Sequence, residues 1–283
     1  MCIRDRSNTD IDEINGTNSI DSLVSTASSE NIDGGAGEDT VVFNGKFSDY
    51  SITRLDNALK IADQRSSNLD GTDTLKKIEY IQFSDQTIEE LKVDVSKTYS
   101  GCFHEYKFYN KDNGKYEIKT DDGYDDITGI PLLTFEGEPN TSQFCEVSAI
   151  VDIKGTFDQV TGTNDSSGQM FRLYNASFKR LPDVAGLKYW ISNHSAGIDS
   201  NRVIAQSFIN SNEFSDRYGE NITNEKYVET LYTNVLGRDY DQEGYNYWLG
   251  NLNNGTETRY ELLLGFAESA ENKTLFTEMT GFG

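Results

Sequence analysis

The segment Gly34-Gly35-Ala36-Gly37-Glu38-Asp39-Thr40-Val41-Val42 decides how the N-terminal part of this chain folds. Glycines at its first, second and fourth positions allow a tight turn with positive φ and bring main-chain carbonyl groups close together. The aspartate adds a carboxylate, and calcium prefers hard oxygen ligands of this kind. The apolar residue Val41 starts a short strand whose side chain faces the interior. Glycine-rich acidic turns also occur without any ion, so both interpretations stand at this point.

A nine-residue period extends from this segment toward the N-terminus. Steps of nine from Asp39 reach Glu30 and then Asp21, and steps of nine from Val41 reach Ile32 and Leu23. The stretch 16–42 therefore divides into three nonapeptides that begin at Gly16, Ser25 and Gly34. In a parallel β-roll, two nonapeptides form one coil, so residues 18 apart stack on the same edge. We therefore expect Asp21 and Asp39 on one edge and Glu30 on the opposite edge.

These nonapeptides resemble the RTX (repeats-in-toxin) calcium-binding β-roll of secreted bacterial proteins. In that family, calcium lies between stacked turns and is held by main-chain carbonyls and by the motif aspartates. The resemblance implies a β-roll over residues 16–43 and a calcium site formed by Asp21, Gly35, Gly37 and Asp39. It also implies type I secretion, which uses no cleaved N-terminal signal. Residues 25–33 depart from the motif, so the resemblance supports no second site on the edge of Glu30.

Two β-rich modules are predicted next, over residues 44–95 and 96–165, the second including a connector to the following domain. The segment Gly45–Ile52 returns as Gly101–Phe108, and Asp70–Leu75 returns as Asp122–Ile127. The offset falls from 56 to 52 between these blocks, which indicates a four-residue loop deletion. Alternating apolar and polar residues predict half-buried strands joined by hairpin turns.

Each module contains an Asp-Gly-x-Asp turn that places two carboxylates beside a glycine. Asp70 and Asp73 lie in the first turn, and Asp122 and Asp125 lie in the second. These four residues are weaker candidates for calcium ligands. The alternative is a turn whose carboxylates accept hydrogen bonds from neighbouring main-chain N–H groups.

A duplicated helical domain is predicted over residues 166–283. Apolar residues recur at helical spacing, and a second copy follows at a constant offset of 58. Asp183 and Asp241 occupy the positions expected for helix N-caps. We expect about six helices in two three-helix units. The predicted fold class is therefore multidomain β plus α, with a short parallel β-roll, two β-rich modules and an all-α domain.

The helical repeat resembles a bacterial domain of unknown function with the pattern LYxxxLxRxPDxxGLxYW. That domain occurs in surface-layer, RTX-type and other exported proteins, and it is distantly similar to the repeat of phycobilisome linker polypeptides. The resemblance implies an extracellular or cell-surface location and an interaction role. The partners that it suggests are other surface proteins or glycans.

Three features of the helical repeat have alternative interpretations. The segment Asp239–Gly244 imitates the first half of an EF-hand loop, but Gly250 stands where the loop needs a glutamate, so a helix cap is expected. Trp190 and Trp248 could stack on sugar rings, although their helical spacing favours the core. Arg180 and Arg238 are expected to connect helix ends rather than to bind a ligand.

The composition limits the classes of partner. Acidic residues number 47 and basic residues 25, which gives a net charge of −22. This charge argues against nucleic acid and against an anionic membrane surface, which both attract positive protein surfaces. The chain has three cysteines, of which Cys102 and Cys145 could pair in an exported protein. No apolar run is long enough to predict a membrane span.

The segment 1–15 is expected to be disordered or artefactual. Its start, Met1-Cys2-Ile3-Arg4-Asp5-Arg6, has no apolar signal region and looks like a cloning remnant. We therefore expect the natural chain to begin further upstream.

No catalytic motif is recognised. The two histidines, His104 and His194, have no metal-ligand spacing, and the HExxH and GxSxG motifs are absent. We expect a non-enzymatic, calcium-binding structural or interaction region of an extracellular, adhesin-like RTX-type protein. The alternative is the non-catalytic C-terminal region of a secreted protease or lipase whose active site lies upstream. A linker-like scaffold is a third possibility.

Overall fold

The structure is a computed structural model, and the residues that it describes are 11–67, 69–111, 114–137 and 150–282. It divides into two compact units. The first contains residues 1–96 and 129–132, and the second contains residues 97–128 and 133–283. Strands precede helices along the chain, which confirms the predicted order of a β part followed by an α part.

The first unit contains two sheets. One has the strand order β1-β3-β7-β6-β5 and the other has the order β2-β4-β8-β9. The strands are β1 (Asp12–Asn15), β2 (Ser22–Val24), β3 (Glu30–Asp33), β4 (Thr40–Val42), β5 (Tyr50–Leu55), β6 (Ala58–Asp63), β7 (Thr72–Lys76), β8 (Tyr80–Gln82) and β9 (Thr87–Glu89). Strand β1 lies within the segment 1–15, which was expected to be disordered, while residues 1–10 lie outside the described ranges.

The first four strands form a parallel roll with the predicted 18-residue coil. Strand β1 pairs with β3 so that Asp12 faces Glu30. Strand β2 pairs with β4 so that Ser22 faces Thr40. Both registers equal two nonapeptides, which confirms the stacking expected from the sequence. The apolar position of each repeat points inward, and Ile32 and Val41 are 1% and 0% exposed.

A third coil follows after an inserted hairpin. Strand β7 pairs in parallel with β3, and β8 pairs in parallel with β4. The β5–β6 hairpin lies between β4 and β7 in the chain, and β6 pairs antiparallel with β7. Leu75 and Ile81 of the third coil belong to the same buried cluster as Ile32 and Val41. Residues 16–43 and 44–95, expected as two domains, therefore share one hydrophobic core.

Five further strands follow: β10 (Ser96–Ser100), β11 (Lys107–Lys111), β12 (Lys115–Thr120), β13 (Gly123–Asp126) and β14 (Leu132–Glu136). Their geometry supports the predicted duplication. Strands β11, β12 and β13 form an antiparallel sheet, as β5, β6 and β7 do. In both modules, a 3₁₀ turn is closed by an acid that accepts a main-chain N–H three residues earlier, Asp49 from Lys46 and Glu105 from Cys102. The predicted four-residue deletion lies between the second and third strands of these sheets. A loop joins β6 to β7 in the first module, and a tight turn joins β12 to β13 at the corresponding place in the second.

The described part of the chain contains nine α-helices, whereas about six were expected. They are α1 (Ile150–Phe157), α2 (Ser166–Phe178), α3 (Val184–Ser195), α4 (Asn201–Ile209), α5 (Asn212–Tyr218), α6 (Asn224–Leu231), α7 (Gln242–Asn253), α8 (Arg259–Ala267) and α9 (Ala270–Thr280). The unexpected α5 and α9 each end one repeat, and α1 precedes the first. Ser211 and Ser269 cap them by accepting the N–H of Phe214 and Asn272.

Helix α2 forms the centre of the helical domain. Ten of its residues are buried, and it contacts α8 of the second repeat. Arg172 on α2 is 1% exposed and binds both carboxylate oxygens of Glu268 at the end of α8. The duplication therefore yields one packed domain. Among the described residues, no helix combines the length and apolar character that a membrane crossing requires.

Candidate functional site

Acidic residues form a column along each edge of the roll. Three of these carboxylates accept a hydrogen bond from the main-chain N–H of the acid in the preceding coil. Asp39 Oδ1 accepts from Asp21 at 2.9 Å, and Glu79 Oε2 accepts from Asp39 at 2.7 Å. On the opposite edge, Asp73 Oδ1 accepts from Glu30 at 3.0 Å. The stacking predicted for Asp21 and Asp39 is therefore direct, and Glu79 is an additional member that the sequence reading missed.

Threonine closes the first two nonapeptide turns. Asp21 Oδ2 accepts hydrogen bonds from the N–H of Thr17 at 2.6 Å and from its hydroxyl at 2.8 Å. Glu30 accepts the same pair from Thr26, with the N–H at 3.1 Å. These donors come from the second position of each nonapeptide, four residues before the acid. The carboxylates of Asp21 and Glu30 therefore have protein donors within their own turns.

The third nonapeptide lacks this closure. Its second position is Gly35, which has no hydroxyl and donates its N–H to Asp33 Oδ1 at 3.0 Å. Asp39 is 0% exposed, and its Oδ2 has no hydrogen-bond partner among the described residues. A buried carboxylate oxygen without a partner is costly because it has lost its water without replacement. The donors that threonine supplies to the acid in the first two turns are therefore absent from the third.

The glycines of this turn are required by close contacts between coils. A Cβ atom on Gly34 would lie 2.1 Å from the carbonyl oxygen of Lys77 and 2.7 Å from Asp39 Oδ2. Gly35 and Gly37 have φ values of +94° and +139°, which strongly favour glycine. They stack against the carbonyl groups of the preceding coil, which leaves no room for side chains. Asp39 Oδ2 and the carbonyl oxygen of Lys77 therefore both lie beside Gly34, and the carbonyl oxygens of Thr17 and Ser19 lie beside Gly35 and Gly37.

A calcium ion beside Asp39 would have to be held mainly by the main chain. Asp39 would supply the carboxylate, and Gly34 and Lys77 have carbonyl groups beside the same turn. The ammonium of Lys77 does not serve Asp39, because it binds Asp33 at 3.0 Å. Asp21, predicted as the cross-coil ligand, instead contributes its N–H to Asp39. Within the described ranges, no three Asp, Glu, His or Cys side chains converge as a metal site, so main-chain ligands are required.

The opposite edge contains a protein cation at the weaker candidates. The guanidinium of Arg65 binds Asp63 Oδ2 at 2.7 Å and Asp70 Oδ2 at 2.8 Å. Asp70 also accepts from the amide of Asn44 and from the Tyr50 hydroxyl. The hydrogen bonds from Arg65 lower the pKa of Asp63 to about 2. Asp70 therefore has a resident positive partner and does not need an external one.

Asp73 is buried beside Glu30 on this edge. Its Oδ2 accepts the hydroxyl of Ser25 at 2.7 Å. Burial and the neighbouring charge of Glu30 raise the pKa of Asp73 to about 7. Both of its oxygens have protein donors, unlike those of Asp39.

The corresponding turn of the second module does not bring its two aspartates together. Asp125 binds Lys97 Nζ at 2.7 Å and the Tyr99 hydroxyl at 2.7 Å. Asp122 is exposed in the turn between β12 and β13. The second Asp-Gly-x-Asp turn therefore holds a lysine from its own module.

The helical repeats use their shared residues for structure. Asp183 and Asp241 cap α3 and α7 by accepting the N–H of a glycine three residues later, at 2.6 and 2.8 Å. This confirms the predicted N-caps, including the one in the EF-hand-like segment. Arg180 binds both carboxylate oxygens of Glu213, and Arg238 does the same with Glu271. Both arginines connect helix ends, as expected.

The tryptophans are partly buried against the core. Trp190 packs 5.3 Å from Phe208, and Trp248 packs 5.6 Å from Phe266, measured between ring centroids. The tyrosines before them are more exposed, at 56% for Tyr189. The tryptophan rings therefore belong to the helical packing.

The remaining candidate residues of the sequence have the following surroundings. His194 Nδ1 lies 2.8 Å from the Ser166 hydroxyl. Cys102 is disulfide-bonded, and the other cysteines, Cys2 and Cys145, lie outside the described residues. The sequence offered Cys145 as its partner.

Comparison with known proteins bears on the helical part alone. Residues 205–276 match the family model of the domain of unknown function DUF4214. The match spans about a quarter of the chain, from within α4 to within α9, and it includes the whole Arg238–Glu271 framework. No family of calcium-binding repeats matches the roll. No curated protein matches the chain.

Proposed function

We propose that the first unit is a calcium-stabilised β-roll from an extracellular bacterial protein of the RTX type, and that the helical part is a non-enzymatic interaction domain. One observation carries this proposal. Asp39 Oδ2 is a fully buried carboxylate oxygen without a partner in the described part of the chain, and it lies at the one nonapeptide turn of residues 16–42 with an intact glycine motif. A divalent cation bound by main-chain carbonyls supplies the missing positive charge.

The mechanism couples ion binding to folding. The stacked turns exist only in the folded roll, so the carbonyl groups and Asp39 meet only there. An ion that binds the folded state and not the unfolded state stabilises it in proportion to the logarithm of its concentration above Kd. The folded roll is therefore less stable at low calcium concentration and more stable at high calcium concentration. This behaviour suits a chain that is exported before it folds.

Two further features support an extracellular setting. The net charge of −22 leaves many carboxylates that repel one another until cations screen them. Cys102 is disulfide-bonded, and disulfides persist mainly in oxidising compartments.

Calcium titration of chelator-treated protein tests the proposal. Millimolar calcium is expected to raise the Tm of the wild-type chain and to increase its β-sheet signal in far-UV circular dichroism. Asp39→Asn keeps an oxygen for the N–H of Asp21 but removes the charge, so its Tm is expected to be insensitive to calcium. Asp122→Asn removes an exposed aspartate charge from a turn outside the roll and serves as the control.

The roles of the two motif aspartates differ in this test. Asp21→Asn is expected to retain most of the calcium response, because the carboxylate of Asp21 is bound to Thr17. An unchanged Tm of the wild-type chain in calcium, or a normal response of Asp39→Asn, would refute the site.

A further inference from the structure

A small pocket lies where the second β-rich module contacts the helical domain, within the second unit. It has a volume of about 20 Å³, which is room for one or two water-sized groups. Its lining includes the 3₁₀ turn before β11, the end of α2 and the π-helical turn Tyr232–Leu236. The polar side chains of interest are His104, Glu105, Lys107, Asn175, Lys179 and Asn234.

Two lysines in this pocket have no counter-charge in direct contact. Among the residues that the structure describes, the ammonium groups of Lys107 and Lys179 form no ion pair and no side-chain hydrogen bond. Burial lowers the pKa of Lys107, and the positive charges of Lys119 and Lys179 lower it further against the opposing effect of Glu278. Such an arrangement is unusual in a chain with 47 acidic and 25 basic residues. The pocket therefore favours a negative charge from outside.

The backbone at Lys179 gives an independent reason. Lys179 ends α2 in the left-handed conformation, with φ of +50°. The matching position of the second repeat, 58 residues later, is Gly237, with φ of +69°. Glycine adopts this conformation freely, whereas a residue with a Cβ atom is strained in it. The first repeat therefore has lysine at a position where the backbone conformation favours glycine. Lys179 also lines the pocket.

The charged residues in and around the pocket indicate which kind of anion would bind there. Lys107, Lys119 and Lys179 contribute three positive charges, and Glu105 and Glu278 contribute two negative charges, so one monovalent anion balances them. The carboxylate of Glu105 is engaged with the N–H of Cys102 at 2.7 Å. Asn175 adds a side-chain amide that can donate to an oxygen atom. A planar group with two oxygens and one negative charge fits both the charge and the volume.

We propose that this pocket binds a carboxylate group, held by the ammonium groups of Lys107 and Lys179 and by the amide of Asn175. The carboxylate belongs either to a small organic acid or to an acidic side chain of a partner protein. Both sources present the same chemistry to the pocket.

The test uses the full chain and sodium acetate as the probe. Acetate replaces chloride at constant ionic strength while the NMR signals of Lys107 and Lys179 are followed. Saturable shifts are expected in the wild-type chain. Lys107→Met and Lys179→Gly are each expected to weaken binding about tenfold, the effect of losing one hydrogen bond to a charged group.

Lys179→Gly separates binding from folding. Because Gly237 occupies the same conformation in the second repeat, this variant is expected to have a Tm equal to or above that of the wild type. Lys188→Met removes an exposed lysine from α3 and is expected to leave acetate binding unchanged.

Further titrations distinguish the source and the class of anion. An amidated, N-acetylated triglutamate peptide that binds more tightly than acetate indicates a protein partner, and equal affinity per carboxylate indicates a small acid. Shifts that grow linearly without saturation, equal weakening by Lys188→Met, or preference for inorganic phosphate over acetate would overturn the proposal.

Discussion

Arg65→Met should destabilise the first unit strongly. The side chain of Arg65 is 22% exposed, and its guanidinium binds the carboxylates of Asp63 and Asp70, whose side chains are both 0% exposed. The substitution keeps most of the side-chain volume but leaves two buried negative charges without their partner. Removing one member of a buried ion pair typically costs about 3–5 kcal/mol, and the partial exposure of Arg65 favours the lower end, about 3 kcal/mol. For a unit of this size, that loss corresponds to a Tm lower by about 10–20 °C.

Arg54→Met is the matched control in the same unit. Arg54 binds Glu90 at 2.6 Å and Asp94 at 2.7 Å, so its geometry equals that of Arg65, but its side chain is 37% exposed. An exposed pair contributes only about 0.2–1 kcal/mol because water and salt screen it. Differential scanning calorimetry at saturating calcium measures both variants. Equal losses of Tm would refute the conclusion that Arg65 acts as the resident cation of its edge.

Two other predictions concern pH and a glycine of the helical repeat. The pKa of Asp73, raised by burial to about 7 from its model-peptide value of 3.8, means that the folded state holds this proton more tightly. This group therefore adds stability as pH falls from about 7 to about 4, and Asp73→Asn should remove that part of the dependence of Tm on pH. Gly244→Ala should lower Tm because its Cβ would lie 2.2 Å from the Tyr232 hydroxyl. Gly250→Ala in the same helix meets no atom within 4 Å and should raise Tm slightly; the opposite order would contradict the packing.

The sequence predicts the first two coils well because their period is regular. Side chains of a strand alternate in direction, and two nine-residue repeats, which form one 18-residue coil, return the acid and the apolar residue to the same edge. The third coil was missed because the β5–β6 hairpin interrupts that period. Its signal is the acid-x-apolar step, present at Asp73-x-Leu75 and again at Glu79-x-Ile81. The same step at Asp12 marks β1, which precedes the first nonapeptide recognised.

Helices α5 and α9 were not expected from the sequence, and the reason is local. Only two residues, the second of them a serine, separate α5 from the end of α4, and likewise α9 from α8, so the apolar spacing alone does not show a new helix. Ser211 and Ser269 were visible as matching positions at the offset of 58, and their hydroxyls prove to be the caps. A repeated serine next to a repeated acid is the signal for such a boundary.

The sequence shows only one of the two features that distinguish the proposed calcium site. The second position of the nonapeptides reads Thr17, Thr26 and Gly35, so the missing hydroxyl is apparent there. What the sequence does not give is that Asp39 Oδ1 already binds Asp21 while Oδ2 is buried without a donor. That distinction depends on which atoms face each other across two coils. Likewise, the strain at Lys179 requires the backbone angle as well as the comparison with Gly237.

Isothermal titration calorimetry, which measures the number of calcium ions bound per chain, tests the proposed site at Asp39. One ion is expected per wild-type chain, one for Asp21→Asn, and none for Asp39→Asn. The absence of binding to the wild-type chain, or an unchanged stoichiometry in Asp39→Asn, would contradict the assignment of the ion to the orphaned oxygen of Asp39.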